Sequence, residues 1–333
     1  MEIRLFLIRL QQVIFELIRT AVKTSSDLFR ITIPISIGVR LLNEFGATEY
    51  LGEFLSPVME FVGLPGSMGL VWAAAMLTNL YAGLIVFASL APDVHLTVAQ
   101  FTVLTTIMLV AHALPVELRI AQKAGPRFRI MFLLRISCAL LIGFILNAVY
   151  TYGDFLQTEY IPVWNQTVQN PDWIQWAISE SRNMAYIFLI ILGLLSLMKV
   201  LNYLKITDLL TTVLKPVLSL MGMSKDAAPI TIIGMTMGLG YGGGLIIQEA
   251  QSGRMLKRDV FFSLSFMGLF HSIFEDTLLM IVMGGHTSGV LWGRFFFALI
   301  VVFLMVKLFN NMSEKTFDRF FFRSPPSNQS QGT

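Results

Sequence analysis

Charge is what this sequence has least of. Only 14% of its 333 residues are Asp, Glu, Lys or Arg, against roughly 25% in an ordinary soluble domain. That is too few to solvate a globular surface, so lipid has to cover much of this chain. Cysteine is scarcer still. Cys138 is the only one, set in an apolar run, so one chain can form neither a disulfide nor a cysteine metal cluster, and the thiol reads as a small core residue. The catalytic patterns HExxH, GxSxG and GxxxxGK[ST] are all missing, so no enzymatic activity and no cofactor are expected. Net charge is only +3, which leaves nucleic acid without support as a partner. The N-terminus lacks the pattern of a cleavable signal peptide.

Hydrophobic residues make up 55% of the chain, with a mean hydropathy of +0.69. Apolar runs at 128–149, 184–201, 259–283 and 291–307 approach or exceed the ~20 residues that cross a bilayer as a helix. The expected fold is an all-α polytopic membrane protein, with the lipid bilayer as its first partner. Residues 1–25 read as an interfacial amphipathic helix. Arg4, Arg9, Gln12, Glu16, Arg19 and Lys23 recur on one side, and Leu5, Ile8, Val13, Ile14, Leu17, Ile18 and Ala21 fill the other. Docking on a partner subunit is the alternative, which leaves a homo-oligomer open.

Sliding the sequence against itself reveals one ungapped offset, 159 residues. Asn43 falls on Asn202, Thr48 on Thr207, Pro57 on Pro216 and Gly63 on Gly222. Gly83 falls on Gly242, His112 on His271, Gly125 on Gly284 and Arg135 on Arg294. Conservative pairs, such as Arg40 with Lys199 and Glu117 with Asp276, lie between. Apolar matches would mean little in so apolar a chain, but polar, glycine and histidine matches in one register indicate a duplication. The units run over 26–150 and 185–309, joined by a linker at 151–184 and followed by a tail at 310–333. Each is expected to hold about three full spans, an interfacial helix (48–63; 207–222) with Thr48 or Thr207 as N-cap, and a re-entrant or broken-helix hairpin (66–90; 225–249).

Equivalent loops carry opposite charge. Glu44, Glu49, Glu53 and Glu60 of the first unit correspond to a stretch with Lys199, Lys205, Lys215 and Lys225 in the second. Arg119, Lys123, Arg127 and Arg129 lie between the last two spans of unit one, and the same interval of unit two, 276–293, has no Lys or Arg. Because basic loops stay cytoplasmic, the units are expected to be inverted, with both termini cytoplasmic and the linker periplasmic.

Inverted repeats with broken helices are the recurrent build of secondary transporters, whose sites sit where the breaks meet. The richest candidate break is Gly238-Leu239-Gly240-Tyr241-Gly242-Gly243-Gly244, where glycine weakens the helix by roughly 1 kcal/mol per residue against alanine. Its counterpart contains Asn79, Tyr81 and Gly83. Together with Asn43 and Asn202 in the first helix of each unit, these are the candidate substrate-binding residues. His112 and Glu117, and His271 with Glu275 and Asp276, form the candidate ion- or proton-coupling set, because ionisable groups inside a membrane mark ion paths. His271 and Glu275 stand four apart, which would put them on one helix face, and a divalent metal would use His271, Glu275 and Asp276.

Arg40-Leu41-Leu42-Asn43-Glu44-Phe45 and Leu55-Ser56-Pro57, with Leu214-Lys215-Pro216 and the 238–244 run in the second unit, resemble the nucleoside-recognition or Gate domain family. That family includes the core of concentrative nucleoside transporters, the membrane part of ferrous iron transporter B, and spore maturation proteins A and B. The resemblance implies a bacterial inner-membrane protein with two facing gate units and hairpin-lined transport sites. Asn43-Glu44-Phe45 is similar to the Asn-Glu-Phe of the nucleoside carriers, where the acidic residue helps bind the ligand; the second unit has Asn202-Tyr203-Leu204 there. The expected function is a secondary transporter or permease for a small polar solute, nucleoside-like or an organic anion. The alternatives are a divalent metal ion permease and a non-transporting membrane scaffold like the spore maturation proteins.

Overall fold

The computed structural model describes residues 2–91, 94–162, 172–220, 222–224, 227–252 and 255–323. Every regular element among them is helical. Among the described residues four helical stretches are long and apolar enough to cross a membrane: Val98–Ala124, which is interrupted at Ala111–Ala113, Phe128–Tyr152, Trp173–Leu201 and Ser288–Asn310. The first is 83% buried along its most apolar window and the other three are 39%, 17% and 33% buried. Val98–Ala124 is therefore an inner element, and the other three offer most of their surface to lipid.

In chain order the elements are α1 (Glu2–Glu44), α2 (Ala47–Phe61), α3 (Met68–Leu77), α4 (Leu80–Leu90), α5 (Val98–Val110), α6 (Leu114–Ala124), α7 (Phe128–Tyr152), α8 (Trp173–Tyr203), α9 (Ile206–Leu220), α10 (Ala227–Met237), α11 (Leu239–Ser252), α12 (Lys257–Leu269), α13 (Glu275–Val282), a π-helical turn (Ser288–Gly293) running into α14 (Arg294–Asn310), and α15 (Glu314–Phe320). α2 and α9, and α5 and α12, start and stop in the register of the 159-residue offset. Positive φ recurs in that register too, at Gly46 and Lys205, Gly63 and Gly222, Ala113 and Ser272, and Gly125 and Gly284.

α1 is one continuous helix, so the boundary expected at residue 25 falls inside it. Ala21, Ser25, Leu28, Thr32 and Ser36 recur every three or four residues and are buried, forming the stripe that meets α4 and α8. Ser36 donates to Glu180 Oε1 of α8 at 2.6 Å, which holds a buried carboxylate between the two long helices. Thr48 is not the N-cap of α2. That place is taken by Gly46, and the Thr48 hydroxyl donates to Asn43 Oδ1 at 3.0 Å, tying the end of α1 to the start of α2.

α3 and α4 fold back on each other as a short hairpin, as do α10 and α11. A Cβ on Gly83 would lie 2.9 Å from Ala75 Cβ and 3.0 Å from Val71 O, so glycine is what lets the first pair approach. The stretches 98–124 and 257–282 are not continuous helices. Each is interrupted, at Ala111–Ala113 and Phe270–Phe274, by a residue in the left-handed region, Ala113 (φ 47°) or Ser272 (φ 50°).

The ends of the elements gather in two clusters. At one, Arg127 N donates to Phe321 O and Arg323 N to Gly125 O, while Lys257 pairs with Asp318 and Arg258 with Glu314. Lys123, Arg127, Arg129, Arg319 and Arg323 line a cavity of about 890 Å³ there. At the other, Tyr160 hydroxyl donates to Met283 O at 2.6 Å, Tyr150 and Ser288 hydroxyls meet at 2.7 Å, and His286 N donates to Thr102 Oγ1. α5 starts at the second cluster, whereas α12 starts at the first.

Candidate functional site

The breaks meet in pairs. Ala113 N donates to Ala75 O near the end of α3, and Trp72 Nε1 donates to Ala111 O at 3.2 Å. In the second unit Ile273 N donates to Met235 O near the end of α10. A Cβ on Gly238, at the turn between α10 and α11, would lie 3.9 Å from Ser272 Cβ. Backbone groups released by a broken helix inside a membrane have to be satisfied within the protein, and these three bonds do so for Ala111 O, Ala113 N and Ile273 N. α11 lies on α6 as well, where a Cβ on Gly243 would come within 2.4 Å of Ile120 Cγ2.

Between the breaks lies a buried polar cluster drawn from both units. His112 and His271 are 6% and 2% exposed and their ring centroids are 5.0 Å apart. Each ring turns Nδ1 back to a carbonyl one turn earlier, His112 to Met108 O at 3.1 Å and His271 to Met267 O at 2.7 Å. Each turns Nε2 toward Glu117 Oε1, at 3.5 Å for His112 and 3.2 Å for His271. His112 Nε2 also lies 3.6 Å from Asp276 Oδ2. The second oxygen of Glu117 accepts from Arg135 Nη1, whose Nε donates to Val110 O.

The equivalent arginine behaves differently. Arg294, 0% exposed, donates through Nη2 to His271 O and lies over the Phe270 ring at 4.7 Å. Its Nε and Nη1 find no hydrogen-bond partner among the described residues, and no ion pair there joins it to Asp276. Glu117 and Asp276 occupy matching positions in the duplication, yet one is fully engaged by its arginine and the other is not.

The sequence-derived candidates divide. His112, Glu117, His271 and Asp276 come together. Glu275 does not join them: it is exposed in the first turn of α13. The four-residue spacing aligns His271 with Glu275 only on a continuous helix, and the chain is broken between them. His271 takes Glu117 of the other unit instead. Asn79 caps α4, its Oδ1 accepting from Ala82 N at 3.0 Å. Gly83 serves the close approach of α3, α4 and Met108 of α5. Tyr81 is half-buried within electrostatic reach of Glu275 and Asp276, which keeps it at the edge of the cluster. Asn43 is occupied by Thr48. Gly244 is exposed, with open space where a Cβ would stand. Asn202, Thr207, Gly240, Tyr241 and Gly242 lie outside the residues whose surroundings are described.

Arg135 and Arg294 entered the sequence reading only as markers of the repeat. The signal for a larger role was present: an arginine inside an apolar spanning run is costly unless paired with something inside the protein.

No family model matches the chain, and no solved structure matches it. It is 26% identical over 267 residues to the uncharacterized membrane protein YvoD of Bacillus subtilis (strain 168), across 79% of this chain and 84% of that protein. With four apolar helical stretches long enough to span among the described residues, this chain is an α-helical multi-pass membrane protein.

Proposed function

We propose that the chain is a secondary permease for a small polar or ionic solute, working by alternating access around the buried cluster between its helix breaks. One observation carries this reading. Four interruptions, two within hairpins and two within broken spans, converge on two histidines, two carboxylates and two arginines taken from both units. A scaffold has no need of so costly a set of charges, whereas a transport path does.

The duplication reading is supported by helix limits and positive-φ residues that repeat at the 159-residue offset. Its inversion is supported by α5 and α12 starting from opposite clusters of element ends. We take the end carrying Lys123, Arg127, Arg129, Arg319 and Arg323 as cytoplasmic, by the excess of basic residues. The unequal engagement of Glu117 and Asp276 supports alternation. Two equivalent halves held in different local states are what a rocking transporter displays when it is open to one side. The nucleoside-recognition family resemblance agrees with this architecture and leaves the cargo open.

The test is uptake into liposomes containing the purified chain, with a panel of nucleosides, organic anions and divalent cations. Uptake of at least one class, reduced in His271→Ala, is expected. If nothing moves, and cysteines placed at Ala113 and Gly238 stay unlabelled from both sides, the scaffold reading replaces this one.

A further inference from the structure

We propose that His112, Glu117 and His271 form a three-ligand binding site for a borderline divalent transition-metal ion; this deepens, and rests on, the reading of the cluster as a functional centre. The argument begins with hydrogen-bond donors. A carbonyl oxygen only accepts, so the Nδ1 of each ring carries the hydrogen it gives to Met108 O or Met267 O. In a neutral imidazole the other nitrogen then presents a lone pair. Both Nε2 atoms thus aim lone pairs at Glu117 Oε1, itself an acceptor, and His112 Nε2 also meets an oxygen of Asp276. A water bridges two such acceptors and a proton serves one donor–acceptor pair, whereas a single ion takes the Nε2 of both rings and Glu117 Oε1 together.

The spacing agrees. Ligand atoms ~2.1 Å from a tetrahedral ion stand about 3.4 Å apart. The two contacts within the triad measure 3.5 and 3.2 Å, and one ligand atom from each of His112, Glu117 and His271 falls within 4.8 Å of the others. The outer contacts are those of a metal centre as well. A ligating imidazole gives its other N–H to a carbonyl, which fixes the tautomer, and a ligating carboxylate is held by a further donor. Met108 O and Met267 O fill the first role and Arg135 the second, taking the Glu117 oxygen that the histidines do not use. Two imidazoles with a carboxylate favour ions such as Zn²⁺ or Co²⁺, whereas Mg²⁺ and Ca²⁺ prefer oxygen alone. The left-handed residues Ala113 and Ser272, each next to a histidine, place both rings at the breaks.

The experiment uses the full chain, purified in detergent without a histidine tag and equilibrated with Zn²⁺ or Co²⁺. About one metal ion per chain is expected, with the intense visible absorption of tetrahedral Co²⁺. His112→Ala and His271→Ala should each weaken binding by about tenfold or more, and His95→Ala, an exposed control, should leave it unchanged. Monodisperse elution shows that the variants fold, and the Co²⁺ spectrum tests the unaltered chain without them. An unaltered chain that takes up neither ion, or histidine variants that bind as tightly as it does, overturns the proposal. Solute uptake by a chain that takes no metal removes the metal site alone. Metal uptake at equilibrium without movement of any solute removes the permease reading alone.

Discussion

His112 and His271 face each other with ring centroids 5.0 Å apart. They are counterparts at the 159-residue offset. The cluster around them holds two histidines, two arginines and two carboxylates, and one difference matters: Glu117 is held by Arg135, and Asp276 is not held by Arg294.

The Arg135–Glu117 pair is buried, so removing one partner leaves a charge stranded. Arg135→Leu should lower stability by about 3–5 kcal/mol. Arg135→Leu combined with Glu117→Leu should recover much of that loss, since the second change removes the stranded carboxylate. Unfolding in detergent, run as a double-mutant cycle, measures the coupling. Additive effects of the two changes would contradict a direct pair.

Two glycines counted as substrate-binding candidates should behave in opposite ways. A side chain at Gly83 would collide with Met108, Ala75 and the Val71 carbonyl, so Gly83→Val should destabilise by about 1–3 kcal/mol through overpacking. Gly244 is exposed inside α11 with open space around it, and Gly244→Ala should stabilise by about 0.5–1 kcal/mol through helix propensity. Thermal melting of the two variants in the same detergent checks both signs.

Asn79 acts as a helix cap. Asn79→Ala should cost about 0.5–2 kcal/mol and Asn79→Ser should restore most of it, because serine also accepts from the backbone N–H. If solute uptake falls in both variants by the same factor while stability separates them, the side chain contacts the solute and the capping account is incomplete.

Much of this was legible in the sequence, and the parts that were not have physical reasons. The 159-residue offset, read from polar and glycine matches, coincides with the limits of α2 and α9 and of α5 and α12. His112, Glu117, His271 and Asp276 stood out as ionisable residues in apolar runs, and the structure brings them together. Of the interruptions beside the histidines, the first had a mark in Pro115, which suits the first turn of a helix and not its interior; the second had none, because a left-handed serine leaves no mark in sequence. Glu275 was misplaced for that reason: the four-residue rule presumes an unbroken helix. Gly83 illustrates a second limit. A glycine that softens a helix and a glycine that admits a neighbour read alike until the neighbour, here Ala75 and Met108, is known.

The claim beneath all of this is that the two units enter the membrane in opposite senses. Phe54 in α2 and Val213 in α9 are matching, exposed positions, so compartment-specific reporters fused after each test it directly. The account predicts a periplasmic signal after Phe54 and a cytoplasmic one after Val213. Signals from a single compartment would contradict it, because equivalent breaks could then no longer meet across an axis lying in the membrane.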